Sequence, residues 1–197
     1  MTVPASEPTP SQFGPSALLT PANLVTMLRI GLAPVAFWMM VRDQSSWPLV
    51  ALWFCLTTSD FVDGHLARRQ GPTRSGAFLD PLADKVLALG GLWSMVVAGR
   101  FWWLPVVLIT VREVVISLFR SHYGRQGLAV PASRAGKVKT FLQFGAVGWV
   151  TLPWTTDIDW LATSFLWAGL VVAWVSAAQY LVAGSAAATT MARPGHD

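Results

Sequence analysis

An all-α integral membrane protein of six transmembrane helices is the fold class this sequence predicts, and three observations predict it. Of the 197 residues, 53% are hydrophobic. Only 12% are charged, about half the ~25% of an average soluble domain. The apolar residues gather in six runs, and at roughly 20 residues per span six crossings consume about 120 residues. That leaves short connections, two tails and no room for a separate soluble domain.

Residues 1–22 are rich in Pro, Ser and Thr and contain no Lys or Arg. They read as a disordered tail, without the positive start and early apolar core of a cleaved signal peptide. The first apolar run covers Leu24 to Val41 and is interrupted by Arg29. The next five cover Trp47 to Phe61, Ala77 to Ala98, Phe101 to Leu118, Phe141 to Pro153 and Trp160 to Ala183. The expected organisation is a cytoplasmic tail over 1–20, one six-helix domain over 21–183 and a flexible tail over 184–197.

Lys and Arg near span ends stay on the cytoplasmic side. Arg68, Arg69 and Arg74 lie between the second and third runs, and Arg120, Arg125, Arg134, Lys137 and Lys139 lie between the fourth and fifth; together they are 8 of the 14 cations. The remaining connections offer Arg42, Arg100 and, between the last two runs, none. Both termini and the two basic connections are therefore expected in the cytoplasm, in a multi-pass protein of the plasma membrane. Trp47, Trp102, Trp103, Trp154 and Trp160 sit at the opposite span ends, where amphipathic rings favour the interface. Other tryptophans, such as Trp53 and Trp167, read as lipid-facing or packing residues.

A formal net charge of +4 suits an anionic membrane surface or phosphate-bearing ligands. Too few polar residues remain for the basic solvated face that nucleic-acid binding needs. The one cysteine, Cys55, lies in an apolar run, so there is neither an intrachain disulfide framework nor a cysteine metal cluster. His65, His122 and His196 read as solvent or packing residues.

Four of the ten acidic residues, Asp60, Asp63, Asp80 and Asp84, fall close together in sequence. A carboxylate at a membrane edge costs a few kcal/mol, so four together need compensating cations or a task. Asp60 and Asp63 are i,i+3 at the end of the second helix; Asp80 and Asp84 are i,i+4 at the start of the third. Two short carboxylate stripes can thus face each other across a helical hairpin. Hard oxygen donors suit Mg²⁺, Mn²⁺ or Ca²⁺, and no Cys or His set suits zinc. Paired divalent ions held this way clamp phosphates during in-line displacement. The competing reading is an ion-pair network with Arg68, Arg69, Arg74 and Lys85. Small residues accompany the acids: Asp60, Gly64, Ala67 and Arg68 share one stripe, and Gly76, Asp80 and Asp84 share another. Glycine weakens a helix by about 1 kcal/mol relative to alanine, but it leaves room for a nucleotide over Gly64 and Ala67 with Arg68 near its phosphates. Close packing of transmembrane helices is the alternative for either glycine alone.

The stretch Asp60-Phe-Val-Asp63-Gly64-His-Leu-Ala67-Arg68, followed by Gly76-Ala-Phe-Leu-Asp80-Pro-Leu-Ala-Asp84, resembles the signature of the CDP-alcohol phosphatidyltransferases, D-x2-D-G-x2-A-R-x8-G-x3-D-x3-D. All eight signature residues are present. Seven residues rather than eight separate Arg68 from Gly76, a shortening in the Gln70-Gly71-Pro72-Thr73 turn that is expected to change loop geometry and leave the two helical stripes intact. The resemblance implies a homodimeric six-helix membrane enzyme with its active site at the cytoplasmic side. It implies that Asp60, Asp63 and Asp80 bind two divalent ions, Mg²⁺ or Mn²⁺, and that Asp84 is the general base and a further metal contact. It also implies that Asp60, Gly64, Ala67, Arg68 and Gly76 hold the CDP moiety.

The signature leaves the acceptor alcohol open. Arg112 and Arg120 are eight apart on one helical face, and Lys137 and Lys139 follow; cations converging beside an acidic site suit a phosphorylated acceptor. Arg112 adjoins Glu113, so an ion pair and a ligand contact are both open. Asn23-Leu-Val-Thr-Met-Leu-Arg29, Arg112-Glu113-Val-Val-Ile-Ser and Gly136-Lys137-Val-Lys139-Thr140 look like segments of bacterial phosphatidylglycerophosphate synthases. That likeness implies CDP-diacylglycerol as donor and glycerol 3-phosphate as acceptor, with Arg112, Arg120, Lys137 and Lys139 as candidate phosphate ligands among membrane lipids. Inositol phosphate and phosphatidylglycerol are the alternative acceptors, and a transporter or a non-catalytic scaffold the alternatives of another class.

Overall fold

Thr20 starts the first helix: its backbone is extended and its side chain accepts from the Asn23 amide at 3.2 Å, with Pro21 in the first turn. A hydroxyl N-cap followed by proline satisfies an orphan donor and presets the helical φ. The computed structural model describes residues 20–70, 74–125, 134–155 and 158–191. Among the described residues there are six α-helices and no strand: α1 (Pro21–Arg42), α2 (Trp47–Gln70), α3 (Arg74–Val97), α4 (Trp103–Arg125), α5 (Arg134–Thr151) and α6 (Asp159–Met191).

The helices exceed the apolar runs, and mostly at one end. The α2 helix continues past Phe61 to Gln70, α3 begins at Arg74, α4 continues past Leu118 to Arg125, and α5 begins at Arg134. Asp63, Gly64, Ala67, Arg68 and Gly76, together with Arg120, Lys137 and Lys139, are therefore carried on helical extensions that an apolar count leaves out, while Asp60, Asp80 and Asp84 fall inside the runs. The α6 helix also continues beyond the boundary expected at 183, through Ala186, Ala187 and Ala188 to Met191, as alanine's helix propensity favours. The α3 helix passes through Pro81 as a single element.

Among the described residues, two helical segments are long and apolar enough to cross a membrane, Asn23–Arg42 and Asp159–Val182. The apolar stretch of α2, Trp47–Ser59, is shorter, and α3 and α4 carry Asp80, Asp84 and Lys85, and Arg112 and Glu113. Every helix nevertheless exposes large apolar side chains, among them Leu28, Phe54, Val97, Leu118, Phe141 and Val171. Exposed apolar side chains on every helix call for a lipid or protein cover.

The α3 helix packs against α1, α2, α4 and α5, most extensively against α1; α1 also packs along α2, and α5 and α6 form the most extensive pair. The buried side of α1 is one stripe at three- and four-residue steps: Asn23, Thr26, Arg29, Ala33, Ala36 and Met40, none more than 2% exposed. It is polar toward the helix start and apolar toward its end. The apolar half joins Leu49, Trp53, Leu87, Leu92, Met95, Val147 and Leu166 in the core. Two glycines of α3 let its neighbours in. A methyl on Gly90 would sit 2.3 Å from the Phe37 ring, and one on Gly91 would sit 2.7 Å from Trp53. Trp53 cannot yield easily, because its Nε1 donates to the Phe144 carbonyl at 3.3 Å and its ring stands edge-on to Phe144.

Three connections meet at the end of the bundle remote from the acids. The Gln44 amide donates to the Ala98 carbonyl at 3.2 Å, Arg100 pairs with Asp159, and the rings of Trp47 and Trp154 meet at 4.9 Å. Gly99, at φ 74°, ends α3 with its amide bonded to Val96 and that of Arg100 to Met95, a Schellman stop that needs the left-handed conformation. The five tryptophans expected at span ends are all exposed, and Trp102 also touches Trp167.

Replacing Gly91 by valine is expected to cost about 1–3 kcal/mol by overpacking against Trp53. Gly31, where an added methyl would meet nothing within 4 Å, should accept alanine without loss. Thermal unfolding of both variants in detergent checks the pair: equal melting temperatures would refute the tight seating of the Trp53 ring on Gly91.

Candidate active site

The signature divides between two helices. Asp60, Asp63, Gly64, Ala67 and Arg68 lie on the final turns of α2, and Gly76, Asp80 and Asp84 on the first turns of α3, with residues 71–73 between the helices. Both stretches are helical, so the three- and four-residue spacings become faces as expected. The side chains of Asp60, Asp63, Gly64, Ala67, Arg68 and Gly76 lie outside the described residues. Those of Asp80 and Asp84 lie within them.

Both aspartates are bound from α1. The Thr26 hydroxyl donates to Asp80 Oδ1 at 2.9 Å, and Arg29 Nη1 donates to Asp84 Oδ1 at 3.3 Å. Arg29 Nε donates in turn to Ser59 Oγ at 2.8 Å, and that hydroxyl donates to the Leu56 carbonyl. Thus one buried guanidinium joins α1, α2 and α3. The side chain of Arg29 is 1% exposed against 42% for Asp84, so the cation is interior and the carboxylate reaches outward. Burying an arginine costs several kcal/mol unless it is paired and hydrogen-bonded, and here it is both. In the sequence Arg29 stands out only as an interruption of an apolar run, and nothing there gives Thr26 or Ser59 a role. The signal for Arg29 was present: a lone arginine inside a span points to a carboxylate elsewhere.

The competing ion-pair reading puts Arg68, Arg69, Arg74 and Lys85 beside the acids; the side chains of Arg68, Arg69 and Arg74 lie outside the described residues. Among the described residues Asp84 pairs with Arg29, from a different helix. Among the described residues no three His, Cys, Asp or Glu side chains gather as a metal site. The donors that Asp80 and Asp84 present, one helical turn apart, are hard carboxylate oxygens that fit Mg²⁺ or Mn²⁺.

A second polar cluster lies between α4, α5 and α6. Arg112 Nε donates to the Ala173 carbonyl at 2.9 Å, and its Nη1 donates to Glu113 Oε1 at 2.9 Å. Lys139 Nζ reaches the same oxygen. Of the four candidate acceptor cations, Arg112 and Lys139 therefore meet at Glu113. Arg120 is exposed, its guanidinium 5.8 Å from the centre of the Tyr180 ring, and Lys137 is exposed on α5. The structure shows the ion pair at Arg112, with Arg112 and Glu113 buried at 5% and 7% exposure. A buried charge is tolerated only when paired, and Glu113 is paired by both Arg112 and Lys139. Glu113 is the residue that sequence reasoning passed over, noticed only as a neighbour of Arg112.

Comparison with known proteins agrees with this geometry. A probable phosphatidylglycerophosphate synthase of Mycobacterium tuberculosis is 33% identical over 166 residues, covering 81% of this chain and 79% of its own. A protein of Salmonella typhimurium named CDP-diacylglycerol–glycerol-3-phosphate 3-phosphatidyltransferase is 35% identical over 169 residues, covering 82% and 92%. A Shigella flexneri protein of the same name is 34% identical over 172 residues, covering 83% and 94%. Residues 19–175 match the profile of the CDP-alcohol phosphatidyltransferases, a span that takes in both polar clusters and five complete helices. The chain belongs to the CDP-alcohol phosphatidyltransferase family.

Proposed function

We propose that this protein transfers the phosphatidyl group of CDP-diacylglycerol to glycerol 3-phosphate, giving phosphatidylglycerol phosphate and CMP. The observation that carries the reading is the pair Asp80 and Asp84, presented on one face of α3 and held there by Thr26 and Arg29. Relatives whose names specify that donor and acceptor are 34–35% identical over four-fifths of the chain.

In this reading Asp60, Asp63, Asp80 and Asp84 hold two divalent ions, Mg²⁺ or Mn²⁺. Bound there, the ions supply charge neutralisation for the diphosphate and for the departing CMP. Gly64, Ala67, Arg68 and Gly76, with Asp60, receive the CDP moiety. The acceptor hydroxyl oxygen forms a bond to the lipid-bearing phosphorus as the bond from that phosphorus to the bridging oxygen breaks, and CMP leaves with the electron pair. Asp84 takes the hydroxyl proton. Arg29 fixes the direction of its carboxylate, which matters because a general base must lie within hydrogen-bond reach of the proton it removes. Arg120, Lys137 and Lys139, with Arg112 behind them, attract the acceptor phosphate.

In the same reading residues 21–183 form one multi-pass domain of the plasma membrane, working as a homodimer, with the acidic end and both termini cytoplasmic. Helix length supports it: at about 1.5 Å per residue, even the 18-residue α5 reaches roughly 27 Å, near the ~30 Å hydrocarbon thickness. So do the exposed tryptophans at the opposite end.

In detergent micelles the wild-type protein should release CMP from CDP-diacylglycerol with glycerol 3-phosphate. Preference for inositol phosphate or phosphatidylglycerol as acceptor would refute the choice of alcohol. Asp84→Asn, whose amide oxygen can still accept from Arg29, should lower the turnover of the folded protein by about 10²–10⁴-fold, the usual worth of a general base; an active variant removes Asp84 from that role. Chelation by EDTA should abolish CMP release and added Mg²⁺ or Mn²⁺ should restore it. Undiminished turnover in EDTA contradicts the metal assignment.

A further inference from the structure

The polar groups around Glu113 form an ordered chain. The Ala173 carbonyl holds Arg112 Nε, Arg112 Nη1 holds Glu113 Oε1, and the same oxygen holds Lys139 Nζ. Arg112 is 5% exposed and Glu113 7%, so both charges are interior. Glu113 also lines a cleft between α3 and α4 together with Lys85, Leu89, Val114, Ser117 and Leu118. Two cations, Arg112 and Lys139, thus share one carboxylate, and Lys85 lines the same cleft. The excess is positive, as a phosphate dianion requires.

Lysine is a flexible point charge that loses much rotamer freedom when it binds a ligand. An ammonium already tethered by a fixed carboxylate has lost part of that freedom beforehand, which is preorganisation in its ordinary sense. An ammonium has three donors, and Glu113 engages one of those on Lys139.

We infer that Glu113 is a positioning residue of the acceptor site. Fixed by Arg112 and the Ala173 carbonyl of α6, it orients Lys139 toward the phosphate of the incoming alcohol. Arg112 then acts through Glu113 and does not itself touch the phosphate. This rests on the proposed use of a phosphorylated acceptor. The opposite arrangement, in which Glu113 competes with the phosphate for Lys139, predicts the opposite sign and is therefore separable.

Steady-state kinetics of Glu113→Gln in detergent, varying glycerol 3-phosphate and CDP-diacylglycerol separately, tests the inference. The expected result is an acceptor KM raised by about tenfold, the equivalent of one charge-assisted hydrogen bond, with the donor KM unchanged. Combining it with Lys139→Gln should add little to the effect of Lys139→Gln alone, since Glu113 works through Lys139. An acceptor KM that is unchanged or lowered in the folded variant overturns the inference, as does equal loss on both substrates, which marks a purely structural ion pair. Should Glu113→Gln fail to fold, Glu113→Asp keeps the charge one methylene back and is read by the same criteria. Wild-type protein that releases no CMP with any phosphorylated acceptor overturns the functional reading and the inference with it. Wild-type turnover with an insensitive Glu113 overturns the inference alone.

Discussion

A buried guanidinium has to be surrounded by acceptors, and that constraint organises the acidic half of this protein. Arg29 sits 2% exposed within the first helix, where an unpaired charge would cost several kcal/mol. Its partners come from two other helices, Ser59 on α2 and Asp84 on α3. Satisfying one side chain therefore fixes the azimuth of three helices at once. Thr26, one turn earlier, repeats the device on Asp80. The acids of α3 gain their orientation from α1, a helix that contributes none of the signature residues.

The same helix shows how one surface serves two purposes. Its buried stripe changes from Asn23, Thr26 and Arg29 to Ala33, Ala36 and Met40 without leaving the three- and four-residue rhythm. Small residues in the apolar part let α3 approach closely, as interfaces between membrane helices favour. Hydrogen bonds with directional demands take over in the polar part. Register set by packing at one end is thus transmitted to carboxylates at the other.

Much of this was legible in the sequence, and what was not has a physical reason. Apolar runs located all six helices, because a helix facing lipid and core is hydrophobic all round. They missed the helical ends, because Gln70, Arg74 and Arg125 are polar and a hydropathy count treats polarity as the end of the element. The acidic signature was readable as two stripes, since helical spacing fixes a face. Its supporting residues were not. Arg29 looked like a flaw in a span, and Glu113 like a neighbour of Arg112, because the distances that give them meaning run between helices. Arg29 and Asp84 are 55 positions apart, and Glu113 and Lys139 are 26. A single sequence without covariation carries no record of such pairs.

The separation of Arg29 from Asp84 also bears on how the protein is made. The two segments most able to enter a membrane unaided lie in α1 and α6, the first and last helices. The four between them carry polar or charged residues that become tolerable only beside a partner. Since the chain is synthesised from its N-terminus, α1 emerges with its arginine before α3 exists to neutralise it. The charge of Arg29 is therefore met only when α1 and α3 pack. The contact that relieves the buried cation is the same one that orients Asp84, so neither feature is complete before the other.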